Sequence, residues 1–112
     1  SMGYNRVLAV FQPHTYSRTY MLLDDFANAL SIADKVIISE ILPVREENIY
    51  NIHAKDLVDK IDGAFYISTF EEIADFVNEI AQPGDLVITM GGGNVYLCAN
   101  MIFDKLQNSW EY

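Results

Sequence analysis

The sequence predicts an α/β fold: a three-layer αβα arrangement in which a Rossmann-like, mostly parallel sheet of about four strands is flanked by helices. Three observations carry that expectation. Short apolar runs alternate along the chain with segments of helical period, in the order β-α-β-α-β-α-β-α, and that alternation calls for parallel strands joined by right-handed crossovers. The runs are nearly continuous in Val, Ile, Leu and Ala, with no polar alternation, as strands covered on both faces are. At 112 residues and 51% hydrophobic content, the chain is long and apolar enough for one packed domain and too apolar for disorder.

The first strand is Arg6 to Phe11, which Pro13 brings to a stop. A helix over Ser17 to Ser31 follows, with Leu23, Phe26, Ala27 and Leu30 at i, i+3, i+4 and i+7. Lys35 to Ile41 is the second strand. Pro43 ends it, and Val44 to Ile52 is a polar stretch without periodicity, a solvated connection or a functional loop. His53 stands at the boundary of a short helix whose stripe is Ala54, Leu57, Val58 and Ile61, with Gly63 placed to end it in the left-handed region. Ala64 to Ile67 is the third strand. Thr69 and Glu72 have capping-box spacing, each satisfying a backbone donor at the head of a helix that buries Ile73, Phe76, Val77 and Ile80. Pro83-Gly84-Asp85 is a turn, and Leu86 to Met90 the fourth strand. It runs into Gly91-Gly92-Gly93-Asn94 and a last helix with Val95, Cys98, Ala99, Ile102 and Leu106 on one face. Gln107 to Tyr112 is expected to fray, with Trp110 a candidate to dock. Ser1-Met2 reads as a remnant of tag removal.

The net charge of −9 and the absence of any Lys/Arg cluster argue against nucleic-acid and anionic-membrane partners. No apolar run approaches the roughly 20 residues of a membrane span. The single cysteine, Cys98, reads as a small buried hydrophobe rather than a reactive thiol. There is no zinc-ligand spacing, no G-x-S-x-G elbow and no acidic cluster at strand ends such as a phosphoacceptor domain needs.

Two strand-to-helix turns carry candidate chemistry, because open α/β sheets collect ligands at the carboxyl ends of their strands. In the first, Gln12 to Thr19, Arg18 offers a planar guanidinium for bidentate contact with a carboxylate, His14 adds a donor, and the helix head adds free N–H groups. This suits a small carboxylate or a phosphate. An equally weighted reading makes Thr15 or Ser17 a helix cap, with His14 and Arg18 facing water. The second turn, Met90 to Asn94, is neither a dinucleotide fingerprint nor a phosphate loop. Its glycines permit close backbone approach, to an anion or simply to neighbouring chain.

The run Phe11-Gln12-Pro13-His14-Thr15-Tyr16-Ser17-Arg18-Thr19 resembles the F-Q-P-H-x-[YF]-[ST]-R-T signature of the Mur ligase family, in the branch that joins L-alanine to UDP-N-acetylmuramate. Asp24-Asp25-Phe26, Val44-Arg45-Glu46 and Met90-Gly91-Gly92-Gly93-Asn94-Val95 resemble further family positions in order. The resemblance implies a carboxy-terminal domain of a three-domain, cytoplasmic bacterial ligase of peptidoglycan synthesis that uses ATP and Mg2+, bound mainly by a central domain. In that family the substrate carboxylate becomes an acyl phosphate that the amine of L-alanine attacks, and the carboxy-terminal domain closes over the site. His14 and Arg18, with Thr15 between them, match positions expected to face the alanine carboxylate, and Gly91, Gly92, Gly93 and Asn94 match a turn bordering the same pocket. Thr15 stands where many relatives carry a second Arg, and Gly92 where they carry Ala. The family's D-Y-[AG]-H-H-P-T strand and helix, its P-loop and its UDP-sugar domain are not in the sequence. The expectation is therefore a truncated domain with half a site, inactive alone, with no catalytic residue or metal ligand of its own. It is expected to self-associate through apolar surface left bare. The alternative is a stand-alone Rossmann-like anion- or nucleotide-binding module using the Gly91 turn.

Overall fold

The computed structural model describes residues 6–91 and 94–110, with side chains as far as residue 107 in the last helix. The expectations for Ser1-Met2, Gly92, Gly93 and the Trp110 side chain lie outside what is described. The chain runs β1 (Val7–Gln12), α1 (Tyr16–Met21), α2 (Leu23–Leu30), β2 (Lys35–Ile38), α3 (Ala54–Val58), β3 (Ala64–Tyr66), α4 (Phe70–Ile80), β4 (Leu86–Gly91) and α5 (Val95–Trp110). The four strands form one parallel sheet in the order β3-β2-β1-β4. The three-layer α/β expectation holds.

Continuous apolar runs form these strands because both faces are covered. Ala9, Phe11, Val36 and Ile38 pack under α2 and α3 with Ala27, Leu30, Leu57 and Ile61. Leu8, Val10 and Ile37 pack on the other face with Ile73, Val77, Cys98 and Ile102 of α4 and α5. Cys98 is buried, and burial pushes its thiol up to about 11, so it is a core residue.

The central position of β1 is held at both ends. At its entry the Arg6 guanidinium bonds Asp85 (2.8 Å) and the Ile80 carbonyl (2.7 Å), while the Leu86 N–H donates to the Arg6 carbonyl (2.8 Å). At its exit, Gln12 pairs with Gly91.

Several boundaries differ from the sequence expectation, each for a local reason. The helix expected over Ser17 to Ser31 bends at Leu22 (φ −109°, ψ 19°) and forms two pieces. Just before the bend, the buried Thr19 hydroxyl bonds the Thr15 carbonyl at 2.7 Å, where the Thr19 N–H reaches only 3.3 Å; such back-bonding bends helices. The second strand stops at Ile38 rather than Ile41. Pro13 has no N–H for the ladder, and pairing resumes one residue out of step at a His14–Leu42 bridge. Thr69 caps α4 by accepting from the Glu72 N–H, but the Glu72 carboxylate takes the Thr69 hydroxyl (2.9 Å) instead of a backbone donor. Residues 107–110 continue α5 rather than fraying. Gly63 adopts the expected left-handed conformation (φ 76°). His53 is a boundary residue: its N–H donates to Asp56 at the head of α3, and its ring meets Asn51.

The Arg6 guanidinium, followed by the Gln82 N–H, holds the Asp85 carboxyl below the usual carboxylate range despite burial. A depressed folded-state pKa stabilises fully above the unfolded value of about 3.9 and is lost as pH falls through the folded one. Asp85→Asn should therefore flatten the drop in melting temperature as pH falls below about 5. Thermal melts followed by circular dichroism test this; parallel curves for the two proteins would refute it.

Candidate functional site

The carboxyl ends of β1 and β4 open into a cleft of about 460 Å³ lined by Phe11, Gln12, His14, Arg18, Leu22, Phe26 and Gly91. The two turns singled out in the sequence thus meet at one place. Strand β1 delivers Gln12 and, past Pro13, His14. One turn of α1 further on, Arg18 stands on the rim. It makes no ion pair among the described residues. The His14 ring likewise has no hydrogen-bond partner there, although it is close enough to the Glu46 carboxylate to interact electrostatically. The floor is aromatic, with Phe11 and Phe26 at 5.1 Å between ring centroids.

Glu46 corrects one part of the sequence reading. The head of α1 is not an open set of N–H donors. The Glu46 carboxylate accepts from the Ser17 N–H (2.9 Å) and the Ser17 hydroxyl (2.6 Å), and the Arg18 N–H donates to the Thr15 hydroxyl (3.3 Å). Those bonds to Ser17, with a bond from the Tyr16 backbone and the nearby His14, hold the Glu46 carboxyl below its ordinary range. A second anion has no backbone donors left here, so any anion recognition falls to side chains. The polar segment after Pro43 is accordingly not a slack connection. Its turn from Pro43 to Glu46 sets this cap in place, and Tyr50 stacks on Tyr20 of α1 at 4.9 Å. The sequence reading noted Glu46 only as part of a family match; a carboxylate capping a helix 29 positions away leaves no spacing signal.

Thr15 is both a cap and a strained residue. Its φ of 64° and ψ of 149° lie in a region that side chains rarely occupy, and the conformation turns the chain from the sheet end into α1. It lines a neighbouring cleft with Ser17, Arg18 and Glu46, so Arg18 belongs to both clefts while His14 belongs to the first.

In the second turn, Gly91 lines the cleft and Asn94 is exposed, its carbonyl accepting the Leu97 N–H (3.0 Å) at the start of α5. Gly91 has φ 141°, and a Cβ there would fall 2.6 Å from the Gln12 carbonyl oxygen. The close approach anticipated for this turn is therefore made to the adjacent strand. Gln12, which opens the first candidate turn but is given no role of its own there, is 5% exposed, and its Oε1 has no hydrogen-bond partner among the described residues. A polar residue closing an otherwise apolar buried run was the available signal. No cluster of three His, Cys, Asp or Glu side chains suited to a metal occurs among the described residues.

Comparison with known proteins follows this geometry. The model of the Mur ligase, glutamate ligase domain matches residues 1–93. The chain belongs to the Mur ligase family. Among relatives of this Mur ligase domain, the UDP-N-acetylmuramate–L-alanine ligase of Caldicellulosiruptor saccharolyticus is 44% identical over 104 residues, 89% of this chain and 23% of the relative. That of Agathobacter rectalis is 49% identical over 96 residues, 82% of this chain and 21% of the relative. The chain thus spans less than a quarter of these relatives' length. Among solved structures, the MurF ligase of Thermotoga maritima in complex with ADP superposes with a TM-score of 0.70 at 16% identity, over 93% of this chain and 23% of that one, a likeness of fold.

Replacing Gly91 by Ala forces a Cβ against backbone at positive φ. Equilibrium urea unfolding of Gly91→Ala is expected to show a loss of about 1–3 kcal/mol or more; an unchanged midpoint would mean that the turn relaxes freely.

Proposed function

We propose that this chain is the carboxy-terminal domain of a bacterial cytoplasmic ligase that joins L-alanine to UDP-N-acetylmuramate at the expense of ATP, and that it supplies the wall of the pocket that holds the alanine carboxylate. One observation carries the site: among the described residues, an Arg18 free of ion pairs and a His14 ring free of hydrogen bonds line one cleft at the strand ends, in a chain whose net charge of −9 otherwise disfavours anions. Arg18 supplies parallel N–H donors matched to a carboxylate, and His14 supplies a third. Thr15 contributes by setting the turn that carries both. Gly91 lets the neighbouring strand close the pocket without a side chain. The activity for which the relatives are named and the signature from Phe11 to Thr19 support alanine as the ligand.

ATP and Mg2+ belong, on this reading, to the remainder of the protein. Arg18→Ala in the full-length ligase should raise the KM for L-alanine by roughly tenfold or more, as loss of a charge-assisted contact does, and leave that for ATP within about twofold of wild type, a span of less than 0.5 kcal/mol. Initial-rate kinetics with each substrate varied decide it; an unchanged alanine KM would remove Arg18 from the site.

The same reading makes the 112-residue chain alone inactive: no phosphate release dependent on ATP and alanine should be detected from it. It also gives the exposed surface a role. The outer edge of β4 is unpaired within the sheet, Ile88 and Phe103 are 37% and 65% exposed, and Val87, Thr89, Ala99, Ile102, Phe103 and Leu106 line an apolar cleft of about 190 Å³ beside it. In the isolated chain this face pairs with a second copy. Light scattering should show a mass that rises with concentration, and a monomer throughout would refute the pairing.

A further inference from the structure

We propose that Gln12 is a substrate-recognition residue whose side-chain carbonyl accepts a hydrogen bond from the amino group of the incoming amino acid. The inference rests on the reading of the cleft as a site for an amino-acid carboxylate and adds the contact to the other end of that ligand.

Three observations lead to it. Gln12 is 95% shielded from solvent, yet its Oε1 is unsatisfied among the described residues. Folded chains rarely leave a buried acceptor unpaired unless something outside the chain pairs with it. Gln12 also lines the cleft, with His14, Arg18 and Gly91. Its backbone has no freedom to turn away, because it is paired with Gly91, whose missing Cβ lets the strands approach until the Gln12 carbonyl would meet that atom at 2.6 Å. The cleft therefore has donors from Arg18 and His14 and, in a residue of its lining, an unused acceptor. A carboxylate cannot satisfy that acceptor, since it has no proton to donate. An α-amino acid can, because it carries an anionic acceptor and an N–H donor on adjacent atoms.

The amide is also suited to a nucleophile. A carboxylate at this position would stabilise the ammonium form and raise its pKa, withholding the lone pair that must attack. A neutral carbonyl accepts one N–H from the ammonium as it arrives and one from the amine after deprotonation. It orients the nitrogen without taking its proton.

Two substitutions in the full-length ligase test this. Gln12→Met keeps the length of the side chain and removes both polar groups; the alanine KM should rise by about tenfold, with the melting temperature unchanged or higher because the orphaned oxygen is gone. Gln12→Glu keeps the acceptor; its alanine KM should stay at or below the wild-type value, while the pH profile of kcat moves to higher pH. If Gln12→Glu loses alanine more severely than Gln12→Met, the amide faces the carboxylate with its N–H, and the proposal is overturned. It is equally overturned if Gln12→Met melts lower with an unchanged KM, which is the behaviour of a structural residue. Arg18→Ala assayed beside them separates the two levels. An unchanged alanine KM in Arg18→Ala removes the carboxylate site itself, whereas an altered one with both Gln12 variants at wild-type values removes only the role of Gln12.

Discussion

The parallel pairing of β1 on both of its edges is the constraint from which the site follows. With β2 on one side and β4 on the other, β1 has no solvent-facing edge, and side chains on both its faces are buried. Its last residue is consequently buried too, although that residue is Gln12. The Arg6–Asp85 pair sets the register of β1 against β4 at one end, and Gly91 permits it at the other by having no Cβ to strike the Gln12 carbonyl. A slip of one residue would turn every apolar side chain to the wrong layer. The cleft thus opens between two paired strand ends, and a site built on regular elements holds its geometry better than one hung on loops.

Electrostatics at the cleft is a contest decided by Glu46. A helix head is commonly an anion site because its first N–H groups are free and its dipole end is positive. Here Glu46 already takes the Ser17 amide and hydroxyl, and its lowered pKa keeps it charged at neutral pH. The cap neutralises the head of α1 and stands near His14. What remains positive at the rim is Arg18, which makes no ion pair among the described residues. Any anion selectivity placed in a side chain rather than in the backbone depends on one rotamer. It is also responsive to whatever packs beside Arg18, since that residue borders two clefts.

How much of this was legible in the sequence depends on how local the cause was. The apolar runs located all four strands, and the 3.6-residue period located the faces of α2, α4 and α5, because each records burial of a segment in its own composition. Thr69, Gly63 and His53 were readable as boundaries for the same reason: a cap acts within a few residues. The bend at Leu22 was not, since it follows from the Thr19 hydroxyl reaching back one turn, and a Thr in a helical period does not announce which acceptor it takes. The early end of β2 came from Pro13 on a different strand. Glu46 and Gln12 lay furthest from view. Each is a polar residue in an unexceptional place, and its meaning comes from a partner it has, Ser17, or one it lacks.

On the proposed reading, in which the rest of the ligase supplies an opposite wall, the open cleft has an energetic consequence. Two unit charges about 4 Å apart gain only about 1 kcal/mol in water but about 4 kcal/mol at an effective dielectric constant near 20. Arg18 is exposed in this chain, so a small carboxylate beside it would be bound at the first of these values, with salt screening to follow. Covering the rim with a second wall moves the same pair toward the other value, without any new contact. The residues of the cleft are therefore worth most when water is excluded, the condition that also favours attack by an amine on an activated carboxyl group over attack by water. On the proposed reading, weak binding in the open domain and strong binding on closure would be two consequences of the same exposed guanidinium. That coupling would tie occupancy of the proposed alanine pocket to closure of the site.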